Sequence, residues 1–439
     1  MIKLIKKLKN EKGMTLIEIL IVLSIIAGAM AAICLARGGA SVSLFDHSHP
    51  REKPCGGGLT GRAVELASEV IDLASLPAVA VHSALVESAR NPIGRSGGSR
   101  DSASVDLHAH GISSASSLIV LSRASFDAAL VEAAVASGSR LIRERVLRVQ
   151  SCRQSSGRMT LRTGNREYDA DFLLGADGAN SLVRRNLSRP FARTQLSIGA
   201  GFFVRGATAR NIAIKCVAEQ PGYLWSFPRP DHLAIGICTP ASEPVSSIAL
   251  QQQTHAWIAS HQLDRGGSLE RYAWPIPSLP AGDFDRMEVS GSTWMLLGDA
   301  AGLVDPLTRE GIYYALLSGR WAAESLLQGS AGASTGYEMR LRDELYPELA
   351  RAATLSRVFF TASFSELLVE ALQCKAAMRS VFVDLVAGSQ PYRGLRRRLL
   401  LTGDWKSAGK LLWRSVVQSG RQLRASGTSD AGVGPRAIK

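Results

Sequence analysis

Apolar positions are unevenly spread along this chain. Residues 14–36 read MTLIEILIVLSIIAGAMAAICLA, with Glu18 as the one charge. A run of this kind suits either a buried strand followed by a buried helix or a single long helix, because it has no period to read. From Ala31 a helical pattern continues to a Gly38-Gly39 stop, and a β-branched strand then ends at Asp46. A second helix with apolar residues at helical spacing opens near Arg123 in LSRASFDAALVEAAVASGSRLI. Leu173-Leu174 ends another apolar strand, which turns at Gly175-Ala176-Asp177-Gly178 into a short helix. Between the 196 and 240 positions apolar and polar residues alternate, the pattern of a half-buried sheet. Farther on, a strand Trp294–Leu297 runs into Gly298-Asp299, and a long helix starts near Ile312 after Pro306 and Gly311.

The first run supports two incompatible structures. Its length exceeds the roughly 20 residues that span a bilayer as a helix. Residues 1–13 carry five lysines and one glutamate, which would hold that end in the cytoplasm. A basic leader ending at Gly13, then Met14, then Glu18 in an apolar stretch resembles a type IV prepilin N-terminus; that resemblance implies a membrane helix and cleavage after the glycine. The other structure is the opening of a βαβ dinucleotide-binding unit, with a strand Leu16–Leu23 and a helix from about Gly28. It is the better fit, because the register matches the missing elements. A GxGxxG fingerprint counted back from Leu35-Ala36 falls on positions 23, 25 and 28, which hold Leu23, Ile25 and Gly28. Only the third glycine is there, and Ile25 is expected to project its branched side chain where a pyrophosphate should sit. Asp46 stands 18 residues after Gly28, close to the spacing of a ribose-binding acid.

Composition narrows the class. The chain has 439 residues, 46% hydrophobic and 20% charged, enough for a large core. Its formal charge of +13 favours anionic partners such as nucleotide cofactors, phosphates or anionic lipid. No fingerprint of a nucleic-acid-binding fold occurs, so no nucleic-acid partner is expected. The six cysteines are scattered without a CxxC pair, and no histidine cluster has ligand spacing, which argues against a disulfide framework and a metal site.

Five segments carry a family resemblance. Pro50 to Leu59 reads PREKPCGGGL and resembles the PxxxxCGGGL signature of geranylgeranyl reductases. Arg123, Phe126 and Asp127 resemble the RxxFD element of the related flavin-dependent hydroxylases and reductases. Asp177-Gly178, with Ser181 and Arg184 behind them, resemble their DG motif, and Gly298-Asp299 resemble their GD motif. Tyr223-Leu224-Trp225-Ser226-Phe227-Pro228 resembles the YxWxFP segment of the reductases. The resemblance implies an α/β fold: an FAD-binding Rossmann-like domain, an antiparallel β-sheet substrate domain and a C-terminal helical region. It implies FAD, reduced by NAD(P)H or another electron donor, and a prenyl-lipid substrate whose carbon–carbon double bonds receive a hydride and a proton. It assigns Gly28, Asp46, Arg123, Asp177, Gly178, Gly298, Asp299, Gly311 and Ile312 to the cofactor. Gly56, Gly57, Tyr223, Trp225 and Phe227 go to the substrate, and Cys55 is a candidate proton donor.

The expected organisation is a basic leader 1–13, a discontinuous FAD domain at 14–75, 115–190 and 286–330, and a substrate domain at 76–114 and 191–285. A helical region 331–424 and a disordered tail 425–439 follow. Nine Arg or Lys lie between Arg393 and Arg424 against one acid, Asp404, with apolar residues interleaved, which suits a helix on an anionic membrane surface. A cytoplasmic, membrane-associated protein is expected. Two alternatives remain. One is an FAD-dependent hydroxylase or halogenase. The other is a membrane-anchored or chimeric pilin-like chain with impaired FAD binding.

Overall fold

The computed structural model describes residues 17–23, 25–90, 93, 100–107, 118–151 and 157–401, apart from the side chain of Leu23. The basic leader, the Gly13–Met14 junction, the basic segment beyond Leu401 and the tail 425–439 lie outside the described residues.

Two large sheets organise the fold. With strands numbered along the chain, the first has the order β18 (Ser290–Gly291), β19 (Trp294–Leu296), β12 (Phe172–Ala176), β1 (Glu18–Leu23), β2 (Ser41–Phe45), β8 (Arg140–Ile142). All neighbours are parallel except β18 and β19. β1 lies in the interior of this sheet, with Ile21 opposite Leu174 on one side and Leu44 on the other. A parallel strand covered on both faces has no position for a polar side chain, and EILIVL supplies none after its first residue.

Helix α1 (Ile26–Arg37) follows at once. Its alanine-rich sequence favours helix, and its small side chains let it pack closely against α6 (Ile312–Leu327) and α3 (Arg123–Ala136). Glu18–Leu23 and Ile26–Arg37 are therefore a core strand and a core helix rather than one continuous helix, which corrects the membrane-anchor reading. Among the described residues no single helix is long and apolar enough to cross a membrane. Glu18 marks the strand's polar edge: its carboxylate pairs with Arg158, and its N–H donates to Asp171 Oδ2 at 3.0 Å.

The second large sheet runs β17 (Ser268–Pro277), β13 (Leu196–Arg205), β16 (His232–Pro240), β15 (Tyr223–Pro228), β14 (Asn211–Cys216), β5 (Ser83–Glu87), β6 (Ser102–Asp106). It is antiparallel apart from the β14–β5 pair. Two three-stranded sheets accompany it: β3 (Gly58–Leu59), β7 (Ile119–Leu121) and β4 (Ala78–Ala80), then β9 (Val146–Ser151), β10 (Met159–Thr163) and β11 (Glu167–Ala170). Short helices α2 (Gly61–Ser68) and α4 (Leu182–Leu187) follow β3 and β12. Helix α5 (Ser247–Ser260) covers one face of the second sheet through Leu250, Trp257 and Ile258.

The chain then turns helical: α7 (Ala333–Arg340), α8 (Tyr346–Phe359), α9 (Ala362–Cys374), α10 (Ala376–Val386) and α11 (Tyr392–Leu401). Phe364, Leu368 and Phe382 of these helices pack on Val86, Val105 and Ile212 of the sheet. The apolar space between this sheet and these helices opens toward the first sheet.

Candidate active site

Strands β1, β12 and β19 are neighbours and parallel, so their carboxyl ends lie along one edge, with Leu23 opposite Ala176 and Gly175 opposite Leu296. Three motifs far apart in sequence meet there, where ligands bind in open parallel sheets. Ile26 and Ala27 of α1, Gly178, Gly298, Asp299, and Gly311 with Ile312 at the start of α6 all line one cavity of about 300 Å³. Two helix N-termini thus face it, each with N–H groups that have no partner within the helix and a partial positive charge.

Asp299 is the polar centre of this wall. Burial pushes its carboxyl up, against the opposing pull of Lys53 and Arg123. A Cβ on Gly311 would stand 3.3 Å from Asp299 Oδ1, so the bare glycine leaves that oxygen accessible.

Ile25 behaves differently from the sequence expectation. It has φ 78° and ψ −73°, a positive-φ, γ-turn-like conformation that a glycine adopts more readily than a β-branched residue. That turn sends its side chain into the main core, where it is fully buried, and it does not line the cavity. The expected obstruction by its branched side chain is corrected accordingly: the backbone keeps the turn, and the strain is carried in place of a glycine.

The loop between β2 and β3 forms a second wall. Its geometry comes from a buried charge network: the Glu52 carboxylate accepts from the Arg123 N–H at 2.9 Å, from the Ser122 hydroxyl at 2.5 Å, and from Arg229. Arg229, fully buried at the end of β15, also donates to the Cys55 carbonyl. Burial holds its guanidinium down at about 10. Arg123 grips Asp127 with two bonds of 2.9 and 3.0 Å, and Lys53 approaches the same carboxylate at 3.3 Å. Burial pushes the Lys53 ammonium down to about 8, against the pull of Asp127. The Cys55 thiol faces the cavity and accepts from the Gly57 N–H at 3.3 Å.

The third wall is apolar. Tyr223, Trp225 and Phe227 alternate along β15 and so share a face, and all three line the cavity. Phe227 lies against the glycine run: a Cβ on Gly56 or Gly58 would sit 3.1 Å from its ring. Gly57 has φ 78°, and a Cβ there would lie 2.5 Å from the Leu121 carbonyl. Phe359, Phe360, Leu368, Phe382 and Leu385 close the far end. Tyr223 stacks on Phe360 at 5.5 Å and donates to the Thr308 carbonyl at 3.1 Å, joining this wall to the segment before α6.

The structure thus brings together Cys55, Gly56, Gly57, Arg123, Gly178, Tyr223, Trp225, Phe227, Gly298, Asp299, Gly311 and Ile312. It places three others behind the cavity. Gly28 is buried inside α1. Asp46 closes its own turn, accepting from the N–H groups of Ser48 and His49 at 2.8 and 3.1 Å and from the His49 ring. Asp177 caps α4 through the Ser181 hydroxyl and the N–H groups of Leu182 and Val183. Glu52, Lys53, Arg229 and Arg309 were not singled out from sequence, since nothing local marks a charged residue as turned inward, and Phe360 lies in no motif.

An FAD fits what this wall offers. Two helix N-termini suit a pyrophosphate, Asp299 is an acceptor in the cavity, and Ile25 stands clear.

Comparison with known proteins agrees with this geometry. Residues 17–270 match the family model described as FAD binding domain. A menaquinone reductase of Mycobacterium tuberculosis is 32% identical over 320 residues, covering 68% of this chain and 74% of that one. A chloroplastic geranylgeranyl diphosphate reductase of rice is 27% identical over 399 residues, covering 82% and 76%. Among solved structures, a geranylgeranyl bacteriochlorophyll reductase-like protein of Thermoplasma acidophilum superposes with a TM-score of 0.70 at 20% identity, over 89% of this chain and all of that one. A flavin-dependent brominase superposes with a TM-score of 0.64 at 19% identity, over 93% of this chain.

Proposed function

The chain belongs to the FAD binding domain family, and from that premise we propose that it reduces carbon–carbon double bonds in prenyl chains of lipids, with NAD(P)H or another donor as electron source. One observation carries this reading: a single cavity joins the Asp299–Gly311 wall to an aromatic and aliphatic space running back to Phe382 and Leu385. Relatives named menaquinone reductase and geranylgeranyl diphosphate reductase support it.

When bound, FAD supplies the hydride. The remaining work falls to the chain. An isolated alkene is weakly electrophilic, so it has to be held close and dry. Trp225, Phe227 and Phe360 exclude water from the apolar arm. Asp299 and the α6 N-terminus hold the cofactor, the helix end favouring negative charge beside it. Arg123, oriented by Asp127, lines the cavity on the side suited to the cofactor's phosphates. The Cys55 thiol is the candidate proton donor, and a Cys55→Ser variant with full turnover and normal flavin content would remove it from that role. The arginine-rich face of α11 is the part of the described chain suited to an anionic membrane surface.

The test is direct. The purified protein should be yellow or become so with FAD. Incubated without oxygen with NADPH and a geranylgeranyl substrate, it should give a product two mass units heavier per reduced bond. A protein that stays colourless with FAD refutes the reading. An oxygenated product formed only in air indicates a hydroxylase instead.

A further inference from the structure

The cavity has a mouth that can be located by exposure. Of all the residues lining it, only Arg51, Trp274 and Thr308 are exposed. Arg309 follows Thr308 and also lines the cavity. Its backbone has φ 60°, and its guanidinium is steered by a bond to the Ser278 hydroxyl, at the end of the strand that carries Trp274. On the other side, the Arg51 guanidinium lies 5.9 Å from the Trp274 ring centroid, a cation–π contact that orients it without neutralising it.

The charges lining this cavity do not balance. Its basic side chains are Arg51, Lys53, Arg123 and Arg309, and its acidic ones are Asp299 and Glu310. Lys53 and Arg123 are answered by Asp127, and Glu310 is taken by Arg62 and the Thr60 hydroxyl. Asp299 belongs to the far wall. Among the described residues neither Arg51 nor Arg309 forms an ion pair with a carboxylate. Arg309 also keeps a buried Nε with no hydrogen-bond partner. An exposed guanidinium at the mouth, Arg51, and a half-buried one lining the same cavity beside the exposed Thr308, Arg309, with an interior of Ile212, Phe360, Leu368 and Phe382, call for a ligand that is anionic at one end and apolar at the other.

We infer that the cavity mouth is a phosphate or diphosphate site held by Arg51 and Arg309, so that a lipid ligand enters tail first and leaves its anionic head at the rim. The phosphate has two chemical sources, the head of a prenyl diphosphate or the phosphates of a nicotinamide dinucleotide. A prenyl source presupposes the reductase reading above; the phosphate site stands apart from it.

The experiment uses FAD-loaded protein, so the cofactor's own phosphates are already in place. Inorganic pyrophosphate is titrated by calorimetry into the wild type, Arg51→Gln, Arg309→Gln and the charge-retaining Arg51→Lys, with the flavin absorption band as the folding control. Binding is expected in the wild type, weakening about tenfold or more in each Gln variant, less in Arg51→Lys, and falling with added salt. No binding to the FAD-loaded wild type, or unchanged binding in both Gln variants, overturns the inference. Should a Gln variant lose its flavin, salt decides: wild-type pyrophosphate binding that is insensitive to ionic strength also overturns it. Geranylgeranyl diphosphate is then compared with geranylgeraniol. An advantage of about tenfold for the diphosphate that collapses in the Gln variants assigns the site to the substrate head, whereas weakening confined to NADPH assigns it to the electron donor. Arginine-dependent pyrophosphate binding in a protein that reduces no prenyl chain keeps the site and removes the reductase reading.

Discussion

A Cβ placed on Gly319 would lie 2.2 Å from the carbonyl oxygen of Ala27, so the first turn of α1 and the middle of α6 pack backbone against backbone. The obstacle is main chain and cannot rotate away. Gly319→Ala is expected to destabilise the fold by about 1–3 kcal/mol. The shift should appear as a lower urea midpoint at unchanged m value. FAD retention should fall with it, because the displaced helix end carries N–H groups of the cofactor wall.

Ile25 offers a test of how the degenerate fingerprint works. Ile25→Gly relieves backbone strain of about 1–3 kcal/mol but deletes a buried side chain, a loss of about 2–5 kcal/mol. The net expectation is a less stable protein whose FAD affinity stays within about threefold of wild type, since the side chain points into the core. A large gain in affinity, read by flavin fluorescence quenching, would show that the isoleucine does obstruct the phosphates.

Asp299→Ala should separate binding from folding. Losing a charged acceptor for the cofactor is expected to weaken FAD binding by about tenfold or more. The apoprotein should be as stable as wild type or more so, because burial already disfavours the ionised carboxyl. Equal loss of apoprotein stability and FAD binding would make Asp299 a structural residue.

Removing the Arg229 side chain leaves the Glu52 carboxylate without its fully buried partner. Arg229→Met is expected to cost about 3–5 kcal/mol, and Glu52→Gln on that background should recover part of it. Thermal unfolding of the two single variants and the double variant checks the coupling; additive effects would show that the two residues act independently.

Lys53 gives a pH signature. Its folded pKa of about 8 lies below the ordinary 10.5, so from about 8 to 10.5 the unfolded chain binds the extra proton and stability rises with pH. Below about 8 the full penalty is present, at most about 3 kcal/mol. The stability difference between Lys53→Met and wild type, from urea unfolding, should therefore shift toward wild type as pH rises through that window. A difference flat in pH would mean that Lys53 keeps its ordinary affinity for the proton.

Much of this protein was legible along the chain. The strands between Leu196 and Pro240, the turn at Gly298-Asp299 and the helix near Ile312 declare themselves locally, because strand and helix periods and glycine turns are properties of neighbouring residues; that β13 and β16 are buried almost throughout, rather than on one face, comes from the packing on both sides. The motif strings around Cys55, Arg123, Asp177 and Asp299 pointed to a flavoprotein for the same reason. Residues 14–36 were not decidable that way. A strand buried on both faces and an alanine-rich core helix have the hydropathy of a membrane span, and only pairing with β2 and β12 and packing against α6 separates the two. Nor does local sequence tell which side of a turn a residue faces: Ile25 leaves the cavity through a backbone angle, and Asp46 spends its oxygens on its own loop. The Glu52–Arg229 tie joins residues 177 positions apart, and Arg51 and Arg309 reach one cavity from separate parts of the chain. Charge pairing over such distances is a property of the folded packing, and it decides which basic side chains are already neutralised and which remain open to an anion.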